Sequence, residues 1–213
     1  GMLWFAREQT AGRGQRGKTW TMEKGNSIAM SLVLEPGRLQ IKDQFHLNAA
    51  VALTCYEFFS GYAGEETKIK WPNDLFWRDR KAGGILIENL IRGNLWEFAI
   101  AGIGININQV SFSPNLPNPV SFRQITGKDF PVVPLAKELC QYLQDSWITM
   151  LRDPVQIIAD YNEALYKRGE KVKLKQDNRT FEARIDAVNK NGQLEVFSAC
   201  PESFSFGEVN WVL

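Results

Sequence analysis

The sequence is poor in the residues on which several common chemistries depend. Among its 213 residues are one histidine, His46, and three widely separated cysteines, Cys55, Cys140 and Cys200. A single histidine excludes sites built on two or more histidine ligands. Cysteines without a CxxC spacing argue against zinc fingers, disulfide scaffolds and thioredoxin-like chemistry. This cysteine usage is typical of a reducing compartment, so we expect a cytoplasmic protein.

Long apolar runs and an excess of one charge are also missing. No stretch approaches the roughly 18 apolar residues that cross a bilayer, so we expect neither a membrane span nor a signal peptide. The 25 Lys and Arg residues nearly balance the 24 Asp and Glu residues. Global charge therefore does not favour non-specific binding to nucleic acid. A hydrophobic content of 44% is ordinary for a globular protein.

Hydrophobic periodicity predicts an α+β fold with a mixed, mostly antiparallel sheet. Apolar residues at three- and four-residue spacing from Ile41 to Phe59 predict a long helix that Gly61 and Gly64 end. Two more helices are predicted at 135–150 and about 154–166. Strands are predicted at 3–5, 27–34, 68–71 and 75–77, with a hairpin of 84–91 and 95–106.

The last part of the chain has a different pattern. From Gly169 onward, short segments alternate apolar with polar residues, and Asn191-Gly192 is a strong hairpin signal. This pattern predicts a separate all-β module, which we interpret as a small SH3-like barrel. We therefore expect a main domain at 2–167 and a C-terminal domain at 168–213.

A glycine-rich loop at 9–20 is the first candidate for chemistry. Its central residues are Gly12, Arg13, Gly14, Gln15, Arg16, Gly17 and Lys18. These glycines formally satisfy GxGxxG, but the dinucleotide fingerprint requires a helix that starts inside the glycine run. Residues 18–26 show no apolar helical face, so we reject that reading. Backbone amides beside guanidinium groups suit a polyanion such as a nucleotide phosphate, and a solvated basic turn is the alternative.

Three later segments add polar groups at strand ends. Asn73 and Asp74 follow a Trp-Pro pair, where they could accept a metal or hydroxyl groups, or cap a turn. Lys81 precedes a glycine pair that includes Gly84, and it could hold a phosphate or carboxylate or simply face solvent. Asn106 ends a strand with two glycines, a pattern typical of close approach by a ligand or another backbone.

Taken together and in order, these segments resemble those of the biotin–protein ligases. The resemblance covers nearly the whole chain and rests on 9–20 (QTAGRGQRGKTW), 70–75 (KWPNDL), 81–88 (KAGGILIE) and 102–106 (GIGIN). It implies the class II synthetase-like catalytic fold of that family followed by its small C-terminal barrel. It also implies ATP-dependent formation of biotinyl-5′-AMP, followed by biotinylation of a lysine in a biotin carboxyl carrier domain.

The resemblance also implies roles for particular residues. Catalysis is expected from Lys81, Arg13 and Asp74, with Asp74 either holding Mg²⁺ or orienting Lys81. Biotin, ATP and Mg²⁺ are the expected ligands, a homodimer is the expected assembly, and we expect no DNA binding. The residues expected to contact biotin or its adenylate are Gln9, Gly12, Arg13, Gly14, Gln15, Arg16, Gly17, Lys18, Trp20, Asn73, Lys81, Gly84 and Asn106.

The sequence departs from the family pattern in two places. Gln15 stands where the family often has a basic residue. The strand, the Ser-Thr-Asn segment and the helix that precede this region in the family have no counterpart here, so we expect the native protein to begin upstream. Two alternatives follow: a truncated paralogue that binds biotin or adenylate without turnover, and a lipoate-ligase-like acyl transferase.

Overall fold

The computed structural model describes residues 2–37, 39–150 and 153–212. Within them the chain forms eleven strands and four α-helices. The strands are β1 (Leu3–Phe5), β2 (Ser27–Leu34), β3 (Thr67–Lys70), β4 (Asp74–Trp77), β5 (Arg80–Arg92), β6 (Leu95–Asn106), β7 (Lys171–Gln176), β8 (Arg179–Val188), β9 (Leu194–Phe197), β10 (Pro201–Phe204) and β11 (Asn210–Val212). The helices are α1 (Gln44–Ala63), α2 (Phe122–Thr126), α3 (Val132–Met150) and α4 (Pro154–Glu163).

The first sheet has six antiparallel strands in the order β1-β2-β6-β5-β4-β3. Successive side chains along β6 point to opposite faces of the sheet. Ala101, Ile103 and Ile105 are buried on the core side, whereas Phe98 and Ile100 on the other side are 40% and 39% exposed. The helices pack on the core side, with α1 against β3, β4 and β5 and α3 against β2. The opposite side is therefore free to form a site.

Helix α1 is the predicted long helix, but one of its two predicted ends is wrong. Gly61 lies inside the helix, which continues to Ala63. Gly64 ends it because its φ of +78° belongs to the region that side chains rarely adopt, and its N–H donates to the carbonyl of Ser60 at 2.8 Å. A glycine stops a helix only where the backbone turns, and Gly61 has a helical backbone.

A second antiparallel sheet follows, with strand order β10-β9-β8-β7-β11. Gly192 at φ +80° lies in the turn from β8 to β9, which confirms the Asn191-Gly192 hairpin signal. In the described part of the chain the edge strands β10 and β11 are not paired with each other. The structure thus confirms a mixed fold with antiparallel sheets. Sequence reasoning missed β10 because its residues, PESF, do not alternate apolar with polar.

Polar contacts of Trp71 and of helix α4 connect the first sheet with the second. Trp71 Nε1 donates to the carbonyl of Gly192 at 2.9 Å, and the Tyr161 hydroxyl donates to the carbonyl of Pro72 at 2.8 Å. Asn162 on α4 bonds both backbone groups of Val188 on β8, at 2.7 and 2.9 Å. The second sheet is therefore held against the segment that carries Asn73 and Asp74. Across the described residues, no helix combines the length and the apolarity that a bilayer crossing would need.

Candidate functional site

A cavity of about 1170 Å³ lies between the glycine-rich loop, strands β5 and β6, and the second sheet. Every residue that the sequence assigns to the site lines this cavity, except Gly17. Gly17 is in the same loop, at φ +74°, with no atom within 4 Å of the position of a Cβ. Segments separated by up to 97 positions, from Gln9 to Asn106, thus meet in one place.

Paired glycines form the floor of the cavity. Gly84 on β5 pairs with Gly104 on β6, and Gly102 pairs with Leu86. A Cβ added to Gly104 would lie 2.6 Å from the indole ring of Trp20, a distance that real Cβ contacts do not show. Trp20 can therefore rest against the sheet only because this position has no side chain, which is the close approach expected of glycine within a strand.

The glycine-rich loop folds back on itself as a narrow hairpin. The N–H of Gly14 donates to the carbonyl of Lys18 at 2.6 Å, and the N–H of Trp20 donates to the carbonyl of Gly12 at 3.0 Å. A Cβ on Gly12 would lie 2.4 Å from the carbonyl oxygen of Trp20. No α-helix occurs within 18–26, all of which the structure describes, so the rejection of a dinucleotide fingerprint is confirmed.

The basic side chains of this loop point to different partners. Arg13 pairs with Glu88 on β5 at 3.2 Å, and its side chain is 74% exposed. Arg16 donates from Nη1 to the carbonyl of Gly207, in the turn between β10 and β11, at 2.8 Å. Arg16 therefore joins the loop to the C-terminal module as well as lining the cavity, a contact that the sequence did not predict.

Replacing Gly207 by alanine should break this link. A Cβ at Gly207 would lie 2.2 Å from Arg16 Nη1, and the backbone has φ +92°. We expect a loss of about 1–2 kcal/mol from the backbone conformation, together with faster trypsin cleavage after Arg16. The matched control is Gly127→Ala, at φ +73° with no atom within 4 Å. Urea unfolding and limited proteolysis measure both effects, and equal cleavage in the two variants would contradict the link.

Lys81 and Asp74 form the best-defined charged pair in the cavity. Lys81 Nζ lies 2.6 Å from Asp74 Oδ1, and the two side chains are 31% and 29% exposed. Asp74 is opposite Gly84 in the β4–β5 ladder, and a Cβ on Gly84 would lie 3.1 Å from Asp74 Oδ1 and 3.4 Å from Lys81 Nζ. The missing side chain at Gly84 leaves space for the pair. Asp74 thus holds the Lys81 ammonium group at the cavity wall.

Two buried asparagines shape the far wall. Asn73 donates from Nδ2 to the carbonyl of Ile85, and Asn106 donates from Nδ2 to the carbonyl of Val120 at 3.1 Å. Both residues are at least 95% buried and both line the cavity. Their amide nitrogens hold backbone carbonyls, so these residues fix the shape of the wall.

Unpaired donors also line the cavity. The indole N–H groups of Trp20 and Trp211 are buried, and neither has a hydrogen-bond partner among the described residues. A buried donor without a partner is costly. A ligand that placed acceptor atoms beside these two indole N–H groups would satisfy them. For a metal ion the described residues offer less, because no group of three or more His, Cys, Asp or Glu side chains occurs among them.

Lys70 is a cavity residue to which the sequence argument gave no role. Its ammonium group lies 5.0 Å from the ring centre of Phe76 and 5.5 Å from that of Trp211. Burial lowers the pKa of Lys70 to about 8; Asp74 opposes this shift, while Lys81 and Lys18 add to it. The signal in the sequence was the lysine that opens the 70–75 motif. Trp211 could not be found, because nothing local places it there.

Lys70 should make stability depend on pH. Its folded-state pKa is lowered from 10.5, so the unfolded chain holds the proton more tightly between about pH 8 and pH 10.5. The cost of the buried charge is therefore present near neutral pH and disappears as pH rises through that window. We expect Lys70→Met to stabilise the protein at about pH 7, by an amount on the order of 1–3 kcal/mol that shrinks by about pH 10.5.

Urea unfolding of both proteins at the two pH values tests this expectation. The control is Lys68→Met, a lysine on the same strand that does not line the cavity. A stability difference between Lys70→Met and the parent that stays constant across the window would contradict it.

Sequence comparison identifies proteins to which this chain is similar. Residues 1–106 match the model of the Biotin/lipoate A/B protein ligase family. The bifunctional ligase/repressor BirA of Bacillus subtilis is 43% identical over 110 residues, which are 51% of this chain and 33% of that protein. The biotin–[acetyl-CoA-carboxylase] ligase of Paracoccus denitrificans is 38% identical over 135 residues, 60% of this chain and 55% of that protein. The matched part of the chain spans about a third of the length of the curated BirA relatives from Bacillus.

Solved structures show the same fold. Biotin protein ligase from Aquifex aeolicus in complex with biotin and ATP has a TM-score of 0.83 at 21% identity, covering 99% of this chain and 88% of that one. Biotin protein ligase from Leishmania major in complex with biotin has a TM-score of 0.63 at 25% identity, covering 95% of this chain and 87% of that one.

Residues 1–106 belong to the Biotin/lipoate A/B protein ligase family. Among the relatives and structural neighbours are proteins named biotin–[acetyl-CoA-carboxylase] ligase and biotin protein ligase, so the resemblance read from the four sequence motifs is confirmed.

Proposed function

We propose that this protein joins biotin to ATP and then transfers the biotinyl group to a lysine of a biotin carboxyl carrier domain. The observation that carries the proposal is the Lys81–Asp74 pair above a glycine floor, in a cavity that Arg13 and Lys18 also line. The name of the Paracoccus relative, a biotin–[acetyl-CoA-carboxylase] ligase, supports the choice of acceptor.

In the first step, the carboxylate of biotin attacks the α-phosphorus of ATP and pyrophosphate leaves. Negative charge is concentrated on the oxygens around that phosphorus, and fixed cations stabilise it most in the transition state. We assign this role to Lys81 and Arg13. In the second step the acceptor lysine, as the free amine, attacks the biotinyl carbonyl, loses its proton, and AMP leaves. Neither step needs a nucleophile from the enzyme.

The resemblance to biotin–protein ligases guides the binding roles that we propose for the site residues. We assign the binding of biotin and the acyl-phosphate to the side chains of Gln9, Arg13 and Lys81. The loop backbone at Gly12, Gly14 and Gln15 contributes to the same binding. The phosphates are assigned to Arg16, Gly17 and Lys18. The nucleotide is assigned to Trp20, Asn73, Gly84 and Asn106. The unpaired indole donor of Trp20 supports this, because an adenylate carries several acceptor atoms.

Mg²⁺ does not fit the protein residues alone. Asp74, the carboxylate that the resemblance offers to the metal, is already neutralised by Lys81 at 2.6 Å. Magnesium commonly binds one or two carboxylates together with substrate phosphates. We therefore assign Asp74 to orienting Lys81, and we expect Mg²⁺ to arrive with ATP.

We further propose that residues 168–213 form an SH3-like barrel domain, distinct from the catalytic domain at 2–167. The short strands and the β11–β7 pairing support it, since this pairing brings the end of the chain back to the first strand of the module. Homodimer formation, cytoplasmic location and the lack of DNA binding stay predictions.

Two half-reactions test the proposal. Biotin-dependent release of pyrophosphate from ATP reports the first step, and labelling of a carrier domain reports the second. Lipoate and octanoate in place of biotin test the alternative acyl transfer, because the matching family model covers biotin and lipoate ligases. Pyrophosphate release that lipoate supports and biotin does not would overturn the choice of biotin. Biotin binding without any pyrophosphate release would favour the inactive paralogue.

A further inference from the structure

A second crevice of about 270 Å³ lies beside the main cavity, between the start of α1, strand β5 and the turn before β9. Among the described residues that line it, none carries a charge. Its polar lining consists mainly of carboxamide side chains: Gln15, Gln44, Asn48, Asn89, Asn191 and Gln193. An uncharged lining does not suit a phosphate, a carboxylate or a metal ion, whereas carboxamides pair well with other amides.

Two of these carboxamides are left half satisfied. Asn48 donates from Nδ2 to the carbonyl of Pro72 at 3.5 Å, and Asn89 donates from Nδ2 to Oε1 of Gln44 at 2.7 Å. The Oδ1 atoms of both asparagines are buried and accept no hydrogen bond from the described residues. Because the carbonyl of Pro72 can only accept, it fixes which side of the Asn48 amide is oxygen. Two amide groups in the lining of the crevice therefore carry oxygens that lack donors.

The crevice is continuous with the proposed reaction site. Gln15, Pro72 and Phe206 line both the crevice and the main cavity. Gln15 lies in the glycine-rich loop, and Pro72 lies between Lys70 and Asp74. A chain that placed one side chain in the main cavity could continue directly into the crevice.

We propose that this carboxamide crevice binds the peptide segment flanking the acceptor lysine, whose backbone N–H groups donate to Asn48 and Asn89. An extended backbone alternates N–H and C=O groups and is neutral, which matches both the lining and the unpaired oxygens. The volume is below the roughly 300–1,000 Å³ of drug-sized ligand sites, which suits a short segment of peptide. This inference rests on the proposed function.

The test separates recognition of the carrier from the chemistry. Asn48→Leu and Asn89→Leu remove the acceptor oxygens with little change in volume, and Asn178→Leu in the exposed β7–β8 turn is the matched control. Each variant is assayed for pyrophosphate release, for transfer to a carrier domain, and for transfer to a free lysine amide. We expect the KM for the carrier domain to rise roughly tenfold for each crevice variant, as for one lost hydrogen bond. Pyrophosphate release and transfer to the free amine should stay unchanged.

Some results would overturn the crevice inference, and a different result would overturn the proposed function. An unchanged KM for the carrier domain in both crevice variants overturns the crevice inference. The inference is also overturned if transfer to the free lysine amide slows as much as transfer to the carrier domain, or if pyrophosphate release is lost. Either result would mean that the crevice residues only maintain the structure of the main cavity. If the unsubstituted protein releases no pyrophosphate with biotin, the proposed function fails, and titration of a carrier-domain peptide into the parent and the two variants tests the crevice alone.

Discussion

Replacing Lys81 by alanine is expected to slow biotin-dependent pyrophosphate release by about 10²- to 10³-fold, which corresponds to roughly 2.7–4 kcal/mol of lost transition-state stabilisation. Lys81 is the cation that Asp74 holds at the cavity wall, 2.6 Å from Oδ1. The hydrophobic core does not include Lys81, so the fold should survive. Single-turnover measurement of pyrophosphate release from ATP and biotin checks the expected rate.

The matched control is Lys128→Ala, an exposed lysine outside both cavities. It should leave the rate unchanged. Asp74→Asn should lower the rate less than Lys81→Ala, since it releases the lysine without removing it. A Lys81→Ala protein that unfolds normally in urea and still releases pyrophosphate at the parent rate would remove Lys81 from the mechanism.

Strong local patterns predicted most of the first sheet and its helices. The hairpin of β5 and β6 combines two long segments rich in apolar residues with a turn at Gly93, and each of these signals is contained in a few neighbouring residues. The short helix α2 was missed because five residues give no periodicity. It forms because Ser121 caps it by accepting from the N–H of Gln124, and the side chain of Gln124 bonds back.

In the candidate site, too, sequence reasoning found what local motifs contain and missed contacts between distant residues. Residues within motifs, such as Lys81 and Asn73, could be assigned because their types and spacings are distinctive. The partner of Arg16 is 191 positions away at Gly207, and one of the two rings near Lys70 belongs to Trp211. Contacts of this kind depend on how the second sheet docks. No short window of sequence contains that information.

The glycines of β6 look alike in the sequence but differ in what surrounds them. Gly102 and Gly104 lie on the same face of the strand, two residues apart, and both line the cavity. The nearest atom to a Cβ on Gly102 would be 3.6 Å away, an ordinary contact. A Cβ on Gly104 would lie 2.6 Å from the ring of Trp20. Only the second position therefore requires glycine for packing.

We expect Gly104→Ala to destabilise the protein by about 1–3 kcal/mol, as overpacking does, and to push Trp20 off the sheet. Because Trp20 lines the proposed nucleotide end, weaker binding of the adenylate should accompany the loss. Gly102→Ala should change the free energy of unfolding by much less. Urea unfolding and calorimetric titration with a non-hydrolysable biotinyl-adenylate analogue measure the two effects.

A double substitution identifies the cause. In a Trp20→Ala background the ring is gone, so adding Gly104→Ala should cost little, and the two substitutions should be non-additive by about 0.5–3 kcal/mol. Strict additivity would show that the clash with Trp20 is not what makes glycine necessary. In that case the cost would come from the strand itself, and Gly102→Ala should then be as damaging as Gly104→Ala, since both sit in the same ladder between β5 and β6.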